Sequence, residues 1–156
     1  MSRRCYRLCR RAHAKVAFSG MGARQYPGRW NHAGTAVVYA AGSLSLMLLE
    51  ALAHFDTDTA PPRFVFFEVE IPDDVAVRRV TERELHKNWR SWPHPKGTRD
   101  LGTAWAESGT TAILIVPSAL VPQEDNVILN PGHGDFKRLR IGAAQPIQLD
   151  TRLVGR

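Results

Sequence analysis

The stretch Phe64-Val65-Phe66-Phe67-Glu68-Val69-Glu70-Ile71 decides the fold class. Val65, Phe67, Val69 and Ile71 fall on one side of an extended chain, and Phe64, Phe66, Glu68 and Glu70 on the other. A period of two marks a β-strand with one drier face. Upstream, Val37 to Ala40 is β-branched and aromatic and reads as a second strand. Downstream, Val75 to Val80, Asn126 to Leu129 and Phe136 to Ile141 are further strands, with Ile147 to Leu149 as a last edge strand. Ala112 to Val116 is apolar throughout and of strand length, so it reads as a central strand buried on both faces. One helix stands out among them. Ser43 is its N-cap, and Leu44, Met47, Leu48, Ala51, Leu52 and Phe55 form an apolar stripe at helical spacing. Leu46, Leu49 and Ala53 are apolar on the opposite side, which predicts a helix buried on both faces. Residues 81–91 and 99–107 are expected to form shorter helices. Short Pro and Gly punctuation, without a repeat or a linker, then gives one α+β domain over residues 1–156.

Composition narrows the functional classes. The 156 residues carry 21 Lys+Arg and 15 Asp+Glu, a formal charge of +6. That excess is concentrated at one end. Residues 1–49 hold eight basic side chains and no acid, and the first carboxylate is Glu50. An arginine-rich start of this kind describes an organellar transit peptide or a nucleic-acid-binding arm, so both must be tested against the rest of the chain. Two cysteines, Cys5 and Cys9, make no CxxC motif and read as plain thiols in a reducing compartment. No run approaches the roughly 18 apolar residues of a membrane span, and no signal-peptide core follows the basic N-terminus. None of the six histidines has zinc-ligand spacing, so no metal site is expected.

Three features carry chemistry. Glu50 lies on the back of the apolar stripe, between Leu46 and Ala53, where an unpaired buried carboxylate would cost several kcal/mol. It therefore faces either a cleft or water. Gly28-Arg29-Trp30-Asn31 combines a glycine that lets a ligand approach the backbone, a guanidinium fork for phosphate or carboxylate, and a stacking ring. Tyr39 follows at a strand end, eleven residues before Glu50. Ser118 stands just after the buried strand, in Val116-Pro117-Ser118-Ala119, and lacks the context of a nucleophile elbow.

The ordered set Gly20, Gly28-Arg29-Trp30-Asn31, Gly34, Val38-Tyr39, Glu50 on a helix, Gly102, Trp105, Ile115-Val116-Pro117-Ser118, Asn126 and Asn130-Pro131 resembles the RES-domain family. That family is named for arginine, glutamate and serine. Its members are toxins of bacterial toxin–antitoxin pairs whose antitoxin carries an Xre-like region. The resemblance is clearest over residues 6–55 and 101–141; residues 56–100 carry no functional reading. Pro27 stands where many members have a second glycine before Gly28.

The resemblance implies an ADP-ribosyltransferase-like fold, a split mixed β-sheet core with flanking helices around an NAD+ cleft. It implies that NAD+ is the substrate rather than a prosthetic group, and that the nicotinamide–ribose bond is broken with water or phosphate as acceptor. A protein acceptor is the alternative. Arg29, Tyr39, Glu50 and Ser118 become the catalytic set, and Arg7, Gly28, Arg29, Trp30 and Tyr39 the NAD+ contacts. It further implies a cytoplasmic protein whose cognate antitoxin covers the cleft and contacts DNA on the toxin's behalf; homodimerisation is left open. The rival from another class is a non-catalytic nucleic-acid-binding domain, which would bind DNA or RNA with strong salt dependence and turn over no NAD+.

Overall fold

The computed structural model describes residues 3–54 and 62–154. Strand β1 (Arg3–Arg10) leads through a 3-10 turn to the short helix α1 (Met21–Gln25) and strand β2 (Val38–Ala41). Helix α2 (Leu44–Leu52) precedes β3 (Phe64–Ile71) and β4 (Val77–Arg79). Helix α3 (Lys96–Ser108) is followed by β5 (Ile113–Pro117), β6 (Asp125–Leu129), β7 (Arg140–Ile141) and β8 (Gln145–Ile147). The strands form one mixed sheet in the order β4-β5-β6-β2-β1-β3-β7, with β8 also on β3. Only β4 and β5 run parallel; the other pairs are antiparallel. Among the described residues no helix is long and apolar enough to cross a membrane.

The alternation in Phe64–Ile71 is realised as read: Val65, Phe67, Val69 and Ile71 are buried. In β5, Ile113 and Ile115 enter one core layer while Leu114 and Val116 enter the layer on the other side, beneath Trp105 of α3. A strand sealed on both faces has no polar side to show, which explains its unbroken apolar run.

The basic N-terminal segment is an interior strand, not a detachable presequence. β1 pairs with β3 from Arg3 opposite Ile71 to Arg10 opposite Phe64. Its other edge meets β2 only at Tyr6 opposite Ala41. Beyond that position β1 and β2 part, and this is where the sheet splits. Cys5 and Cys9 lie four residues apart on β1, roughly 13 Å at strand rise and too far for a disulfide. Both thiols are free.

Several expectations are corrected. Ser43 does cap α2, its Oγ accepting from the Leu46 amide at 3.1 Å. The helix is not buried on both faces, however. Only Leu46 and Met47 are buried, against Tyr6, Leu8, Ala41 and Phe66, while Leu44 and Leu49 are exposed. The inward face is thus the one that carries Glu50, because positions 46, 47 and 50 share a side at i+3 and i+4 spacing. Phe55 lies outside the described residues. Residues 81–91 form no helix beyond a 3-10 turn at Glu82–Glu84, closed by a reciprocal Thr81–Glu84 capping box. The first half of Phe136–Ile141 likewise belongs to a 3-10 turn, Gly134–Arg138, with strand only at Arg140–Ile141. The last strand sits earlier than read, at Gln145–Ile147, because β3 recruits it beside Phe64–Phe66.

Candidate active site

A cleft of about 800 Å³ opens where β1 and β2 part, within the range of small-molecule sites. Arg7, Arg29, Tyr39, Glu50, Trp92 and Asn126 all line it.

Glu50 reaches the cleft from the inward face of α2. Its Oε1 accepts two hydrogen bonds, from Ser118 Oγ at 2.8 Å and from Asn126 Nδ2 at 2.7 Å. Ser118 is fully buried and is itself held, its Oγ accepting from the amides of Leu120 and Val121 at 3.1 Å. Asn126 belongs to β6 and lies between its register partners Ala41 of β2 and Val116 of β5. Two rigid donors on one oxygen fix the carboxylate's rotation. Among the described residues Oε2 has no hydrogen-bond donor. Ser118 therefore caps a turn, and its hydroxyl hydrogen serves Glu50.

The Gly28–Asn31 segment is organised around Asn31, which is fully buried. Asn31 Oδ1 accepts from the Gly28 amide at 2.8 Å and from the Tyr39 hydroxyl at 2.6 Å. Its Nδ2 donates to the carbonyl of Ala23 at 2.7 Å and to those of His32 and Thr35 at 3.2 Å. The Tyr39 hydroxyl also accepts from the Trp30 amide at 2.9 Å. Burial pushes that phenol well above its ordinary value. Gly28 is required by closeness: a Cβ there would sit 2.7 Å from the Tyr39 hydroxyl. Trp30 is only 2% exposed, packed with Trp89 and Trp105. It borders the cleft as wall, and does not offer the open stacking face suggested by its sequence.

Arg29 Nη1 donates to the carbonyls of Trp89 at 2.7 Å and Ser91 at 2.9 Å. Burial pulls its pKa down, with Glu50 and Tyr39 opposing that and Arg90 reinforcing it. Nε and Nη2 keep no protein acceptor among the described residues. Arg7 bridges the split sheet. Its Nε donates to the Ala17 carbonyl and its Nη1 to the Tyr39 carbonyl across the gap, both at 3.1 Å. Burial lowers the Arg7 pKa too. A guanidinium nevertheless stays charged in a protein. No carboxylate forms a direct ion pair with Arg7 or Arg29 among the described residues, so both bring positive charge to the cleft.

Residues that sequence reasoning left without a role also meet here. Asn126 and Asn31 sat inside the quoted pattern, but nothing in spacing revealed what they bond. Trp92 and His94 come from the segment that carried no functional reading, and both line the cleft. His94 Nδ1 is buried and unpartnered, so protonation would add an N–H with no acceptor. Burial, then Arg29, Arg99 and His54, lowers the His94 pKa from 6.5 to about 4. A depressed histidine pKa means the unfolded chain binds more protons between those values, so His94 makes stability fall as pH drops from 6.5 toward 4. An NMR titration should find the His94 ring with a midpoint of about 4. His94→Gln should flatten the melting-temperature curve in that window; a midpoint at the ordinary histidine value would refute this account.

The sequence model of the RES domain matches residues 4–150. The chain is 40% identical over 150 residues to "Toxin Res" of Yersinia enterocolitica, covering 95% of this chain and 97% of that one. It is 36% identical over 138 residues to the "Prs ADP-ribosylating toxin" of a Sphingobium species, covering 87% and 86%. Among solved structures it resembles one in the crystal structure of the M. tuberculosis MbcT–MbcA toxin–antitoxin complex. The TM-score is 0.77 at 18% identity, over 95% of this chain and 85% of that one. This last likeness bears on the fold, and agrees with the α+β architecture described above. Family match, curated relatives and the cleft lined by Arg29 and by Glu50, which Ser118 holds from behind, lead to one conclusion: the chain belongs to the RES-domain toxin family.

Proposed function

We propose that this protein is the toxin of a toxin–antitoxin pair and that it consumes NAD+ by breaking the nicotinamide–ribose bond, with water or phosphate as acceptor. The observation that carries the reading is the charge layout of the cleft. Glu50 is held through one oxygen by Ser118 and Asn126, with unpaired Arg7 and Arg29 lining the same cavity. NAD+ presents the matching pattern: a pyrophosphate, and a ribose that gains oxocarbenium character as its bond to nicotinamide breaks. In this reading the free edges of Arg29 and Arg7 take the pyrophosphate oxygens. Glu50, through Oε2, stabilises the developing cation and holds a ribose hydroxyl, with no reorganisation needed at the moment of reaction. Tyr39 and Gly28 shape the wall against which the ribose lies. The bonding pair leaves with the nicotinamide nitrogen, which becomes neutral. The anomeric carbon then bonds either to a water oxygen, with a proton lost to solvent, or to a phosphate oxygen. An antitoxin with an Xre-like region is the expected partner.

A second reading has specific support in the printed name of the Sphingobium relative, an ADP-ribosylating toxin. In it the acceptor is a protein side chain and the first half of the reaction is unchanged. Purified protein incubated with NAD+, with and without inorganic phosphate, separates the two by mass spectrometry. Nicotinamide should appear together with ADP-ribose or ADP-ribose-1-phosphate and no added protein. Nicotinamide release only in the presence of a protein that gains the mass of ADP-ribose would establish the second reading. No release under any of these conditions would defeat both.

A further inference from the structure

Trp92 is unlike the other tryptophans. Trp30, Trp89 and Trp105 are 2%, 5% and 1% exposed, whereas Trp92 is 70% exposed and lines the cleft. Its ring is nevertheless positioned. His94 packs edge-on against it, centroids 4.6 Å apart at 89°, and His54 lies 6.0 Å away at 53°. The loop that carries it is tied on two sides. Arg29 holds the carbonyls of Trp89 and Ser91, and Arg90 Nε donates to the Ala119 carbonyl at 2.8 Å, beside Ser118. His54 follows Glu50 by four residues, just past the end of α2, and its ring links that helix end to Trp92 on the wall of the same cleft.

We propose that Trp92, braced by His54 and His94, is the platform on which the nicotinamide ring of NAD+ stacks. The proposal rests on the NAD+ reading above. Its geometry follows from Glu50: a ribose that meets this carboxylate carries its nicotinamide into the cleft whose wall Trp92, His54 and His94 line. The chemistry of the base selects between the two ends of the dinucleotide. Before cleavage nicotinamide is a pyridinium cation, and tryptophan offers the best aromatic face for a cation, whereas adenine is neutral. His94 remains uncharged at neutral pH, so the ring packed edge-on against Trp92 puts no cation of its own beneath the ligand. Arg29 thereby acquires a second task. Through its Nη1 it positions the loop that presents Trp92, while its other edge remains open to the cleft.

The test uses Glu50→Gln protein, in which turnover is expected to stop, and reads Trp92 as the one exposed fluorophore among the four tryptophans. NAD+ and ADP-ribose binding are measured by calorimetry, and acrylamide quenching of tryptophan emission is measured alongside. The same protein with Trp92→Phe supplies the baseline of buried tryptophans. NAD+ should lower quenching to that baseline, and ADP-ribose should bind while leaving Trp92 quenchable. In the otherwise wild-type protein, Trp92→Ala should raise KM for NAD+ by about 10-fold, the effect of losing one base–aromatic stack, while Trp92→Phe stays within about 3-fold. Shielding by ADP-ribose equal to that by NAD+ would assign the ring to adenine and overturn the proposal. Binding of NAD+ with Trp92 still quenchable would overturn it while leaving the NAD+ reading intact. Failure of NAD+ to bind would remove both.

Discussion

Glu50→Gln is expected to fold normally and to lose NAD+ consumption by about 10²- to 10³-fold, the scale seen when one preorganised electrostatic group is removed from an active site. The substitution is clean because of how the carboxylate is held. A glutamine keeps one oxygen where Oε1 now accepts from Ser118 and Asn126, so both donors remain satisfied. Its amide nitrogen takes the place of Oε2. The variant loses the negative charge and gains a donor facing the cleft, where a developing cation needs the opposite. The loss should fall on kcat more than on KM, because the charge acts on the transition state rather than on bound NAD+. A melting temperature close to wild type shows that the fold is intact. NAD+ remaining in a timed incubation, measured by chromatography, gives the rate. Wild-type consumption by the variant would mean that Glu50 is not the group that meets the ribose. In cells, wild-type protein expressed without an antitoxin should arrest growth and deplete NAD+, and Glu50→Gln should do neither. Arrest with NAD+ undiminished would point to a protein target.

The sequence held more of the fold than of the site. Phe64–Ile71 and the run into Val116 were readable because burial on one face or on both leaves a direct mark on the pattern. The first strand left no such mark. Arg3, Arg4, Arg7 and Arg10 break its alternation, and Arg7 is tolerated inside only because the Ala17 and Tyr39 carbonyls receive it. The orientation of α2 escapes the pattern for a related reason. Apolar residues occupy nearly its whole circumference, so composition could not say that Leu46 and Met47 face inward and Leu44 outward. Of the site, the resemblance alone points to Arg29, Tyr39, Glu50 and Ser118; the first three line one cleft, and Ser118 is buried behind Glu50 and bonded to it. What joins them was not readable. Asn126 meets Glu50 only after β6 inserts between β5 and β2, and Trp92 reaches the cleft from an irregular loop whose anchors are backbone carbonyls. Contacts of that kind depend on tertiary closure and leave no period to detect.

Gly102→Ala is expected to be among the most damaging single changes in the molecule, although it adds one methyl group to a helix. A Cβ at Gly102 would sit 1.8 Å from the Trp30 carbonyl oxygen and 2.7 Å from its carbon. Those are backbone atoms and cannot swing aside as a side chain would. Three further contacts hold α3 against the same segment. The His32 amide donates to Thr103 Oγ1 at 2.9 Å, His32 Nε2 meets Asp100 Oδ1 at 2.6 Å, and Arg99 Nε donates to the Gly28 carbonyl at 3.2 Å. Relief of the clash must therefore separate α3 from Gly28–His32 as a unit. That disturbs Trp30 packing on one side and the Tyr39–Asn31–Gly28 bonds on the other. Overpacking against fixed backbone should cost about 3 kcal/mol or more. For a domain of this size that corresponds to a fall of roughly 10 °C in Tm. Activity should fall further than the folded fraction accounts for, because the displaced loop carries Arg29. Gly97→Ala is the matched control on the same helix. A Cβ there meets nothing within 4 Å, and alanine favours helix, so Tm should hold or rise slightly. Calorimetric melts of the two variants, with NAD+ turnover per folded molecule, decide the matter. Equal melting temperatures for both would show that the Gly102–Trp30 contact does not join helix to site.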